Sequence, residues 1–236
     1  MNWKHLAVSL FGGDHGLHGI DQDGDFLHGT VVFDGMMLTV IGTTGHAPIG
    51  VNLALRQARA VLDTIVQHPG RAILLLIDTQ GQQLRRRDEL LGINRAMAHL
   101  GMCIDLARRR GHRVIGLVYD QALSGGFITS GLIADACYAL PQAEIRVMRL
   151  PAMARITKLA PELLEELSHH NPVFAPGVEN YWAMGGVRDI WKGDLAAALR
   201  QALRDASCDD QRATDGALRG GRRMAASVVQ RVLDAA

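Results

Sequence analysis

Two short glycine turns, each following a strongly apolar run, hold the residues of this chain best suited to chemistry. The first closes Ala72–Ile77 and reads Ile77-Asp78-Thr79-Gln80-Gly81. The second follows Val114–Tyr119 and reads Ser124-Gly125-Gly126-Phe127-Ile128-Thr129-Ser130-Gly131. In the second, two consecutive glycines stand where a loop should turn into a helix. Glycine lets a backbone approach a ligand closely, and the first N–H groups of a helix have no partner within it. Aimed at a carbonyl oxygen, such donors stabilise the negative charge that develops as a thioester becomes an enolate. Ser124 through Phe127 therefore outline an oxyanion hole, although the same glycines also suit plain tight packing of a helix on a strand. Ser124 is a nucleophile only if a base accompanies it. No motif ties His99 or His112 to it, so a helper or structural hydroxyl is the simpler reading.

Other clusters are weaker. Asp14, His15, His18, Asp21, Asp23 and Asp25 suggest a cation loop. A calcium loop starting at Asp21 would need glycine at Phe26 and glutamate at Val32, so the pattern fails and no metal is expected. Arg85–Arg87 and Arg108–Arg110 could meet phosphates, but charged helix ends are the plainer account.

These residues need elements to position them. Thr30–Ile41 reads as β structure broken by an Asp34-Gly35 turn signal. Val51, Ala54, Ala58, Val61, Leu62, Ile65 and Val66 form a helical stripe over about 50–68, stopped by Pro69-Gly70. Ala72–Ile77 and Val114–Tyr119 are apolar on both faces, as in a parallel sheet covered by helices. A long helix is expected over 88–110, ending at Gly111, and another over 127–136. The two crossovers indicate an α/β fold. Pro151 and Pro161 open helical turns, 171–177 is a proline loop, and 194–205 and 222–235 are amphipathic helices. The first 28 residues show no periodicity and read as a loop or arm.

Composition narrows the class. The 236 residues are 48% hydrophobic, enough for an extensive core. Lys+Arg 25 against Asp+Glu 24 argues against a dedicated binder of nucleic acid or of anionic membranes. Cys103, Cys137 and Cys208 have neither zinc spacing nor a disulfide framework, which favours a reducing compartment. With no secretory signal and no run near the ~20 apolar residues of a membrane span, a soluble cytoplasmic protein is expected.

The order strand, Asp-Thr-X-Gly, long helix, strand, Ser-Gly-Gly, helix resembles the carboxyltransferase branch of the crotonase superfamily. Within it, the chain looks like the γ subunits of biotin-independent malonate decarboxylase. Carrying the likeness are Asp78–Gly81, Arg86-Arg87-Asp88-Glu89-Leu90-Leu91-Gly92-Ile93-Asn94, Ser124–Phe127 and Leu150-Pro151-Ala152-Met153-Ala154-Arg155-Ile156-Thr157-Lys158-Leu159. Pro172–Asn180 and Met184-Gly185-Gly186-Val187 extend it, so it runs from about Thr30 to Trp191. Gln80 stands where carboxyltransferases usually have proline, and Asp120-Gln121 where a Gly-Glu-like pair is usual.

The resemblance implies a crotonase-like (ClpP/crotonase) fold of repeated ββα units of the carboxyltransferase type. It divides the chain into an arm (1–29), the main domain (30–206) and a polar linker with a helix (207–236). It implies a homologous β subunit, an acyl carrier protein and an acyl carrier protein transferase (α) subunit as partners. The substrate would be malonyl on a phosphopantetheine-type, dephospho-CoA-derived arm, or a CoA thioester, with no cofactor bound by this chain. Gly125, Gly126, Phe127 and Ser124 would be catalytic, and Asp78, Thr79, Gly81, Arg155 and Lys158 would bind substrate. Two other functions fit: a subunit of a biotin-dependent acyl-CoA carboxyltransferase, or a non-catalytic scaffold completing a partner's site.

Overall fold

The computed structural model describes residues 1–13, 15–170, 177–207, 209–221 and 223–235. Asp14, Cys208, Arg222 and most of the proline loop (171–176) lie outside this set. Helix α1 (Trp3–Phe11) and the turn α2 (His15–His18) precede strands β1 (Ile20–Asp23), β2 (Phe26–Phe33), β3 (Met36–Thr43) and β4 (Ala47–Ile49). Next come α3 (Val51–Gln67), β5 (Ile73–Gln82), α4 (Arg86–Leu90), α5 (Ile93–Arg109) and β6 (Val114–Leu123). Helix α6 (Ser124–Phe127) runs into a π-helical turn, Ile128–Leu132, before β7 (Ala136–Ala139) and β8 (Glu144–Arg146). The rest is α7 (Leu150–Thr157), α8 (Pro161–His170), α9 (Glu179–Ala183), β9 (Asp189–Ile190), α10 (Leu195–Asp205), α11 (Arg212–Leu218) and α12 (Ala225–Asp234).

The main sheet runs β1-β2-β3-β5-β6-β7-β9. Its first three strands are antiparallel and the others pair in parallel. Asp34 and Gly35 both take positive φ between β2 and β3, the geometry of a two-residue hairpin turn. Successive side chains of β5 point to opposite faces, and both faces are covered. Leu74 and Leu76 share a core with Leu6 and Leu10 of α1 and Leu199 of α10. Ile73 and Leu75 share another with Val61 of α3 and Leu100 and Ile104 of α5.

Strands β5 and β6 reach further than Ile77 and Tyr119, and this extension builds the site. The register of β5 shifts between Ile77 and Thr79. Beyond the shift, β4 pairs with the end of β5 and β8 pairs with Gln121–Leu123 of β6. A bulge bends a strand and re-aims the residues beyond it. The two glycine turns consequently finish side by side.

Several sequence expectations change. Residues 3–11 form a helix rather than a loop: Trp3, Leu6, Ala7 and Leu10 are buried, and Asn2 caps the helix by accepting the Lys4 N–H. The boundary between 29 and 30 falls inside β2. The single helix over 88–110 is two helices, because Gly92 adopts a left-handed conformation (φ +77) that ends the first. The helix expected over 127–136 starts at Ser124 and gives way to β7 at Ala136. Towards the carboxy end, Arg212 donates to the carbonyls of Leu132 and Ala134. Arg219 donates to those of Trp182, Val187 and Arg188. Those bonds pin α11 to the body of the protein, where a polar linker was expected.

Candidate active site

Gly81 (φ +98) and Ser124 (φ +55) both lie in the left-handed region. For glycine that costs little; for a residue with a Cβ it is uncommon and marks a turn the surrounding structure enforces. The two turns touch through backbone. A Cβ on Gly126 would lie 3.0 Å from both Cα and carbonyl C of Gly81, and 3.1 Å from Ile49 Cγ1. A Cβ on Gly81 would lie 3.0 Å from Ser124 Cβ. Nothing larger than hydrogen fits at either position without displacement, so their contact is a direct requirement of the fold.

The N–H groups of Gly125 and Gly126 fall in the first turn of α6, where no carbonyl four residues back is available to them. Behind them, Thr129 and Ser130 donate their hydroxyls to the carbonyls of Gly125 (3.1 Å) and Gly126 (2.6 Å), fixing the peptide planes. Phe127 is buried, its ring edge-on to Tyr181 at 5.9 Å, and it anchors the turn. In front of the turn lies a cleft of about 340 Å³ lined by Gln80, Gln82, Leu84, Leu123, Ser124, Val147, Met148, Arg149, Ala152, Arg155 and Ile156.

The expected site residues divide between this cleft and its supports. Ser124 and Arg155 line the cleft. Gly81 and Gly126 form the contact behind it, and Gly125 lies against the ends of the Gln82 and Met97 side chains. Thr79 is fully buried; its Oγ1 donates to the Ala47 carbonyl (2.6 Å) and accepts the Gly81 N–H (3.0 Å), so it shapes the first turn. Lys158 caps α7 in a left-handed conformation and is not among the cleft residues.

Asp78 faces a different cavity, with His46 and Asp120. Its buried carboxylate accepts N–H groups from His46 (2.9 Å) and Gln121 (3.4 Å). Burial pushes its pKa above the ordinary value, against the lowering pull of the His46 N–H. His46, Asp78 and Asp120 place ligand-type atoms within 4.8 Å of one another, the one such group among the described residues.

Among the described residues no base reaches the Ser124 hydroxyl. His99 is beside Cys103 Sγ (3.6 Å), and His112 Nδ1 lies 2.8 Å from the Arg71 carbonyl. Arg108 pairs with Asp135 (2.6 Å), as suits a charged helix end. Cys103 and Cys137 are buried free thiols, the pKa of Cys137 being pushed up to about 12 by burial. Sequence reasoning missed Gln82 and Arg149 as cleft residues. Gln80 it noticed only as a departure from proline.

The sequence profile of the malonate decarboxylase gamma subunit family matches residues 44–236. The chain belongs to that family. A curated relative, the malonyl-S-ACP:biotin-protein carboxyltransferase MADD of Malonomonas rubra, is 36% identical over 151 residues, 60% of this chain and 52% of that protein. The gamma-family chain thus spans about half the length of that curated relative. A Pseudomonas malonate decarboxylase hetero-tetramer in complex with coenzyme A is 25% identical with a TM-score of 0.77, covering 97% of both chains. The Pseudomonas MdcD-MdcE hetero-dimer gives 24% and 0.73 over 90% of this chain and 91% of that one. Transcarboxylase 12S gives 20% and 0.65, over 76% of this chain and 36% of that one. The fold is the crotonase-like one these carboxyltransferases share. No helix among the described residues is long and apolar enough to cross a membrane.

Proposed function

We propose that this chain acts with a homologous β subunit to decarboxylate malonyl-S-acyl carrier protein to the acetyl thioester and CO2. The glycine turn would bear the charge. As the bond between the methylene and the carboxylate breaks, its electron pair forms an enolate whose charge lies on the thioester oxygen. CO2 departs, and the enolate carbon then takes a proton. Backbone N–H groups around Gly125, Gly126 and Phe127 are suited to either the developing enolate oxygen or the departing carboxylate, and the partner's turn to the other. The observation carrying this reading is the backbone contact between Gly81 and Gly126 beside an open cleft, in a chain of this family.

The cleft's rim supports a covering partner. Leu84, Val147 and Ile156 are well exposed, and exposed apolar groups gathered at one site mark an interaction surface. Co-expression with the β subunit should give one co-eluting species that releases CO2 from malonyl thioester. Two chains that elute separately and are each fully active would overturn the assembly. An acyl carrier protein transferase (α) subunit would supply and exchange the carrier-bound acyl group.

Arg155 separates the substrate-facing cations. A guanidinium in the cleft can pair with the substrate's carboxylate or with the arm's phosphate. Arg155→Ala is expected to raise KM for carrier-linked substrate about tenfold, while Lys158→Ala changes it less than about twofold. Equal effects in steady-state assays would remove Arg155's special place.

A second reading is favoured by the Malonomonas relative, whose name includes a biotin protein as acceptor. The same enolate would form, with the carboxyl group passing to biotin instead of leaving as CO2. Adding avidin or EDTA to the purified complex is expected to leave turnover unchanged. Loss with avidin would favour the biotin-linked carboxyltransferase, and an inactive complex whose β subunit alone is active would favour a scaffold.

A further inference from the structure

Gln82 follows the first glycine turn at the end of β5, and its side chain lines the cleft with Ser124 and Arg155. Its Oε1 is buried and accepts no hydrogen bond among the described residues. That oxygen lies 3.3 Å from where a Cβ would stand on Gly125, so it sits directly against the glycine pair. Buried polar atoms are nearly always paired, because an unmade hydrogen bond there costs free energy. The other orphan side-chain atoms among the described residues belong to Gln57, Gln121 and Arg146, none of which lines the cleft. The empty acceptor at the site is Gln82's.

An acceptor requires a donor, and this restricts what the ligand must present. The reacting end of a malonyl thioester offers only acceptors: the thioester oxygen and the carboxylate. Those suit the glycine N–H groups and the Arg155 guanidinium, and both would be repelled by a carbonyl oxygen. The first donor along a pantetheine-type arm is the amide N–H two carbons from the sulfur. Only a few bonds separate it from the thioester oxygen, as only one residue contact separates Gln82 from Gly125.

We propose that Gln82 Oε1 accepts this amide N–H, making Gln82 a specificity residue that positions the arm while the thioester oxygen rests on the glycine turn. The assignment builds on the reading of the cleft as a thioester site. It makes the protein selective for thioesters carrying an amide next to the sulfur arm, and it explains an acceptor left open in the free chain.

The test uses the chain co-purified with its β subunit and two small substrates. One is malonyl-S-N-acetylcysteamine; the other is its analogue with the amide N–H replaced by an ester oxygen. The wild-type complex is expected to prefer the amide about tenfold in kcat/KM. Gln82→Met, close in volume but with no oxygen, should erase that preference, chiefly by raising KM for the amide and leaving kcat near its normal value. Equal turnover of both by the wild type, or a preference retained in Gln82→Met, overturns the assignment. Binding of the two acetyl thioester counterparts is measured in parallel on both proteins. If neither malonyl compound is decarboxylated, the decarboxylase reading falls, while the binding preference and its loss in Gln82→Met still decide for or against Gln82.

Discussion

Gly126→Val is expected to abolish decarboxylation of a malonyl thioester while the chain still pairs with its β subunit. At this position a Cβ would meet the Gly81 Cα and carbonyl C at 3.0 Å. Both belong to backbone, so neither can swing aside as a flexible side chain would. Accommodating the branched side chain parts the two turns and swings the first-turn N–H groups away from the cleft. Losing a single such donor typically costs ~10²–10³ in rate, and both turns move here. Gly125→Ala is the milder companion. Its Cβ would meet only the ends of the Gln82 and Met97 side chains, at 3.3 and 3.5 Å, so folding should persist with a smaller loss. Ser124→Ala should keep much of the activity, because no base among the described residues stands ready to activate its hydroxyl. Steady-state rates, read beside co-elution and melting temperature, decide the matter. An inactive Ser124→Ala with an active Gly126→Val would mean nucleophilic chemistry and would sink the proposed oxyanion hole.

The second large effect is on stability. Asp78→Ala is expected to lower unfolding free energy by on the order of 3 kcal/mol, since the backbone N–H groups of His46 and Gln121 would lose their acceptor. Those bonds tie the β3–β4 connection, β5 and β6 together just where β5 shifts register. A shifted denaturation midpoint with an unchanged slope is the readout. If Asp78→Ala instead left stability intact and removed turnover, Asp78 would contact substrate, as the resemblance implies.

The carboxyl's titration adds an independent measure. Burial holds its folded pKa above the ordinary 3.8, so protonation favours the folded state. The stability this contributes is fully present below the unfolded value and lost as pH rises through the raised folded one. Asp78→Asn removes that titration. In the interval just above 3.8 the variant's stability should therefore climb more steeply with pH than the wild type's. Parallel curves there would show that Asp78 does not titrate in that interval.

Local features were settled by the chain's own order of residues. The apolar runs of β5 and β6, the stripe of α3, the Asp34-Gly35 turn and the Asp194 cap of α10 all depend on near neighbours in the chain. The glycine turns were legible for the same reason. Helix α1 was read as a loop or arm, although Trp3, Leu6, Ala7 and Leu10 keep helical spacing behind a capping Asn2. Its brevity and the Gly- and His-rich stretch after it obscured the pattern.

Which residues share the cleft was decided by the three-dimensional fold. Gln82, Ser124 and Arg155 come from three separate elements, aligned by the bulge in β5 and by the way β8 and α7 close over the turn. The fold also separated Asp78 and Thr79 from the cleft, although they sit within four residues of Gln82. Alternation along a strand sends neighbouring side chains to opposite faces, and a register shift changes which face that is. A one-residue change in register moves a side chain from site to support, and that register is fixed by pairing with β4 and β6, far away in the sequence.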